Sequence, residues 1–77
     1  MAAIVYFSKA AEDDKTIRYS FGTDSLDMTR ALMVDKAGDR VRPEDGREDY
    51  HFRKAAAKIL SLHRERGTWP DRGMHVS

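Results

Sequence analysis

A chain of 77 residues holds one small domain of about 11 to 12 Å radius of gyration and no second one, and buries too little of its surface to build a deep, water-free cleft. A hydrophobic fraction of 40% beside 35% charged residues gives a small core inside a charged shell and excludes end-to-end disorder. Lys and Arg number 14 against 13 Asp and Glu, for a net charge of +1, and cysteine is absent. A general coat for nucleic acid or anionic membrane is thereby excluded, as are disulfides, thiolate metal sites and cysteine nucleophiles.

The first apolar run, Ala3 to Phe7, is rich in β-branched and aromatic residues and predicts a strand near 3–8. It is too short to span a membrane and has no preceding positive charge, so no signal peptide or membrane contact is expected and the cytoplasm is the expected location. A polar loop with Glu12-Asp13-Asp14 at its tip follows. Thr16 to Phe21 then alternates strictly, with Ile17, Tyr19 and Phe21 on one face, which predicts a half-buried strand over 15–22 ended by Gly22.

Asp24 to Asp35 fits two patterns. One is a short helical turn over Ser25 to Met28 and a third strand over 30–35, turning at Lys36 to Asp39 into an extended Arg40 to Pro43; the other is a helix over Asp24 to Ala37. Asp45 with Glu48 reads as a capping box for a long helix near 46–66, which Gly67 stops and Pro70 keeps stopped. Phe52, Ala55, Ala56, Ile59, Leu60, Leu62 and His63 fall in one helical arc, a core-facing stripe. Residues 68–77 form a short C-terminal tail whose Trp69 should dock near His63 or on the sheet.

The expected fold is therefore a single α+β domain over 1–77: a three-stranded antiparallel sheet (strands near 3–8, 15–22 and 30–35) packed by one long C-terminal helix and a tail. One helix covers one sheet face. The other carries Tyr6 and neighbouring apolar residues, so either the tail residues Trp69, Met74 and Val76 or a partner should cover it.

Motifs for chemistry are absent. Glu48 and His51 have an i, i+3 ligand spacing that occurs once where a metal bundle needs it twice, and His51 and His63 diverge by about 120° around the helix. Asp35 to Gly46 puts Ala37, Arg40 and Gly46 where a calcium loop needs a ligand, a glycine and a glutamate. None of Ser8, Ser20, Ser25 and Ser61 lies in a nucleophile motif. No catalytic residue, metal or cofactor is expected, and the chain reads as non-enzymatic.

The helix is basic, with Arg53, Lys54, Lys58, Arg64 and Arg66 against Glu65. Most simply this is a solvated face with snorkelling stems. The strings Arg42 to Asp49, Ala55 to Ile59 and Gly67 to Met74 resemble short uncharacterised actinobacterial proteins; the resemblance implies a bacterial cytoplasmic source and brings no activity or site residue with it.

The function expected from the residues is that of a small binding protein acting through protein contacts, as a homodimer or an accessory or regulatory subunit. Tyr6, Tyr19, Tyr50 and Trp69 are its candidate partner contacts, because aromatics with a polar tip anchor interfaces. The alternative is a DNA-binding sheet-plus-helix module reading nucleic acid through Arg18, Arg30, Arg40, Arg42, Lys54 and Lys58.

Overall fold

Alternation in the first half of the chain and a helical stripe in the second resolve into two layers, a sheet with one helix lying on it. The computed structural model describes residues 4–76. Positions 1–3 and 77, which include the start of the expected first strand and the end of the expected tail, lie outside it. The elements are β1 (Ile4–Glu12), β2 (Thr16–Gly22), β3 (Arg30–Asp35), β4 (Arg40–Pro43), α1 (Tyr50–Arg66) and β5 (Arg72–Val76). The sheet runs in the order β4-β3-β2-β1-β5, antiparallel throughout.

Among the described residues the sheet thus has five strands where three were expected. Arg40 to Pro43 does more than extend: Arg40 registers with Asp35 and Pro43 with Leu32, completing a meander. The tail is likewise a strand, and β5 returns past the helix to pair with β1, Ile4 with Val76 and Ser8 with Arg72. Between β2 and β3 the chain forms neither a helical turn nor a long helix. The Asp24 carboxylate accepts from the Leu26 amide at 2.9 Å, and Asp24 bridges to Asp27, a side-chain-stabilised turn that competes with helix.

The helix begins at Tyr50, four residues later than the expected 46. Its cap is Asp49, whose carboxylate accepts from the Phe52 amide at 3.0 Å. Asp45 does not serve because its carboxylate accepts from the Arg47 amide at 2.9 Å while Gly46 turns the chain at φ 75°, so the helix starts beyond that turn. The C-terminal stop is as expected: Gly67 adopts φ 75° and donates its amide to the His63 carbonyl.

Val5, Phe7, Ile17, Tyr19, Phe21, Leu32 and Val34 point from the sheet towards Phe52, Ala55, Ile59 and Leu62 of α1. Ala56, Leu60 and His63, expected in the same stripe, are half-buried at its margins. Phe7 meets Tyr19 edge-on with centroids 5.7 Å apart, and the Tyr19 hydroxyl donates to the Pro70 carbonyl at 2.6 Å. That bond ties the segment leaving the helix to the middle of the sheet. The Cα radius of gyration is 11.4 Å.

Candidate functional site

Because side chains alternate along a strand, the residues between the core positions form the second sheet face. Arg40 and Arg42 come from β4, Ala31, Met33 and Asp35 from β3, and Thr16, Arg18 and Ser20 from β2. Ile4, Tyr6 and Ser8 come from β1, and Arg72, Met74 and Val76 from β5. Among the described residues no helix lies on this face. The tail does not cover it; by joining as β5, it extends the face and adds Met74 beside Tyr6 and Val76 beside Ile4.

The face has two ends. Towards β4 it is basic, and there Arg18 is held by the Glu44 carboxylate, whereas Arg40, Arg42 and, at the other edge, Arg72 form no ion pair among the described residues. Towards β5 it is apolar, with Ile4 37%, Met74 49% and Val76 54% exposed. The β2–β3 loop walls this end. A Cβ on Gly22 would lie 2.9 Å from the Asp27 carbonyl oxygen, so only glycine lets the loop cross so low over β2. Between that loop and β5 lies an open depression of about 380 Å³ lined by Tyr6, Ser8, Ser25, Met28, Arg72 and Met74. Its floor suits an apolar side chain and its rim an acceptor for Arg72.

The candidate partner contacts do not converge. Tyr6 is on the open face, Tyr19 is fully buried in the core and has no ring to offer, and Tyr50 stands at the helix start with the Lys54 ammonium 5.3 Å from its ring centroid. Trp69 lies on the helix side. It stacks on His63 at 3.7 Å and 4° between planes, so the indole covers the protein's own helix end. The His63 Nδ1 beneath it is buried, with no hydrogen-bond partner among the described residues.

The candidate nucleic-acid contacts split between layers. Arg18, Arg40 and Arg42 share the open face, but Lys54 and Lys58 lie on α1, in the other layer. Arg30 registers with Phe21, on the helix side, and its guanidinium sits 4.7 Å from the Phe21 ring centroid. It also contacts Asp49 at 2.8 Å and donates to the Arg47 carbonyl at 2.9 Å. Arg30 is therefore a structural hub. Its hydrogen bond, followed by that of the Phe52 amide, lowers the Asp49 carboxyl to about 2, and Arg30 followed by the Arg47 amide lowers Asp45.

Reasoning from the sequence missed Met74, Val76 and Arg72 as members of one surface. The signal was the alternation Arg72, Met74, Val76 against Gly73 and His75, hidden because the helix-side positions are not apolar. Among the described residues no group of three or more His, Asp or Glu is placed to hold a metal ion, and no helix is long and apolar enough to cross a membrane. Comparison with protein-family models, curated proteins and solved structures finds no match, so the surface is read from its own geometry.

Proposed function

We propose that this is a small non-enzymatic module that works through protein contacts, as a homodimer or an accessory subunit, with the open sheet face as its working surface. The observation that carries the reading is the composition of that face: Tyr6, Met33 and Met74 beside Arg18, Arg40, Arg42 and Arg72, with every lysine elsewhere. Protein interfaces are enriched in aromatic residues, Met and Arg and depleted in Lys. Exposed Ile4, Met74 and Val76 at the β5 end supply an apolar patch that such a contact would remove from water.

The same arginines favour the second reading, in which the face binds nucleic acid. Sedimentation and oligonucleotide anisotropy separate the two. Self-association that persists at high salt and is weakened by Tyr6→Glu supports the protein-contact reading. A monomer whose anisotropy signal appears only with oligonucleotide and falls steeply with salt overturns it in favour of nucleic acid.

A further inference from the structure

The two edges of the sheet are not equivalent, and the difference follows from the hydrogen-bond ladder. In an antiparallel pair, residues alternate between those that bond the neighbouring strand and those whose amide and carbonyl point away from it. At the β4 edge, the Glu44 amide donates to the Ala31 carbonyl. With Met33 opposite Arg42 and Leu32 opposite Pro43, this leaves Val41 and Pro43 as the outward residues. Pro43 has no amide hydrogen, and its carbonyl already accepts from Gly46 at 3.3 Å. Only Val41 is left to offer an outward amide and carbonyl, so this edge is a poor template for further pairing.

At the β5 edge the Lys9 amide donates to the Asp71 carbonyl at 2.7 Å. Following the register inward, Gly73 and His75 bond β1, so Arg72, Met74 and Val76 turn their amides and carbonyls outward. No proline, lysine or bulge guards them. The same three residues project their side chains onto the open face, so the unpaired backbone and the exposed apolar patch adjoin.

We propose that β5 pairs with β5 of a second copy of this chain, in antiparallel register about Met74, joining two sheets into one. The register is self-complementary. Met74 faces Met74 of the partner subunit, and Arg72 faces Val76 of the partner subunit, so every outward group on both edges finds a partner and about six backbone hydrogen bonds form. The charges agree as well: Arg72, the charged residue of β5, falls opposite an apolar residue and not opposite its own copy. Both open faces then lie on the same side, and the apolar patch runs from Tyr6 through Met74 and across the seam. About six hydrogen bonds correspond to about 600 to 1,200 Å² of buried surface at common interface density, the low end for a specific dimer, so micromolar association is expected.

The inference rests on the protein-contact reading and specifies its self-association. Amide hydrogen exchange of the unsubstituted protein, followed along a dilution series with sedimentation in parallel, tests it. The amides of Met74 and Val76 should slow by about tenfold or more as the dimer forms, while Gly73 and His75 stay protected throughout. Met74→Cys, in a chain otherwise without cysteine, should cross-link to its own copy on mild oxidation while Ser20→Cys does not. A dimer in which the Met74 and Val76 amides exchange freely and Ser20→Cys cross-links instead overturns edge pairing and leaves the protein-contact reading standing. A monomer at every concentration overturns edge pairing and the homodimer reading together.

Discussion

Arg30 and Asp49 form the joint between the two layers: one guanidinium nitrogen of β3 lies 2.8 Å from both carboxylate oxygens of the residue that caps α1. The cap is therefore aimed by the sheet. Asp49→Ala should remove the acceptor for the Phe52 amide and one of the two carboxylates paired with Arg30 in one step, lowering the melting temperature by about 5 °C. Asp45→Ala removes exposed contacts to Arg30 and the acceptor for the Arg47 amide but leaves the helix cap in place, and should cost less. Thermal melts of the two variants give the order; equal melts would mean that the carboxylate at 49 does not nucleate the helix.

Acid should loosen this joint. Asp49, Asp45, Asp13 and Glu12 are all held below the ordinary carboxylate value, Asp49 and Asp45 by Arg30, Asp13 by the Lys15 amide and Glu12 by Lys36 first. A folded carboxyl with a lowered pKa contributes stability that is complete above the unfolded value near 4 and lost as pH falls towards the folded one. Urea midpoints should stay level down to about pH 5 and drop between about pH 4 and 2. Asp49→Asn should flatten part of that drop, and an unchanged slope would remove Asp49 from the account.

Ile59 is fully buried at the centre of the helix stripe, and Ser61, two positions on, faces water. Ile59→Asp would place an unpaired carboxylate in the core and should cost more than about 3 kcal/mol, enough to unfold a domain of this size. Ser61→Asp should leave the circular dichroism melt within a few degrees of the parent. Similar melts for both would contradict the helix orientation.

Trp69 should report an internal contact. Its stack on His63 predicts emission shielded from a neutral quencher and unchanged by dilution, because the indole is not in the proposed seam. His63→Phe keeps the stack and removes the unpartnered Nδ1, so it should hold or raise the melting temperature, whereas His63→Ala should expose the indole and lower it. Shielding that vanished on dilution would put Trp69 in a subunit interface instead.

Gly73 is required by its neighbour: a Cβ there would lie 2.7 Å from Phe7 Cζ. Gly73→Ala should cost about 1 to 3 kcal/mol through forced displacement of a fully packed ring. Phe7→Leu in the same chain should recover part of the loss relative to Phe7→Leu alone. Simple additivity of the two changes in a double-mutant cycle would show that they do not meet.

The helix stripe and β2 were legible because their periodicities are carried by large apolar residues: Phe52, Ala55, Ile59 and Leu62 at helical spacing, Ile17, Tyr19 and Phe21 at alternate positions. β5 was not, since Gly73 sits where Phe7 needs room and His75 lies at an edge. The cap was misplaced by four residues because Asp45 and Asp49 look alike in a local pattern. Arg30 holds both, and what separates them is that Asp45 accepts from the Arg47 amide in the turn at Gly46 whereas Asp49 accepts from the Phe52 amide of the helix. The core identity of Tyr19 was written in its strand's alternation, yet its polar tip invited an interface role. The Pro70 carbonyl that satisfies the hydroxyl is invisible to any local pattern.

The pairing of β1 with β5 sets the order in which the molecule can be made. β1 to β4 form a meander of short connections that closes as it is synthesised, whereas the register of Ile4 with Val76 waits until the helix has been completed and has turned at Gly67. Until then, β1 is itself an unprotected border, with Val5 and Phe7 turning their amides and carbonyls to solvent. A ribosome-bound chain therefore exposes on β1 the same kind of vacancy that the finished molecule transfers to β5. Slow synthesis past Gly67 would lengthen the interval in which nascent chains can join one another by that strand.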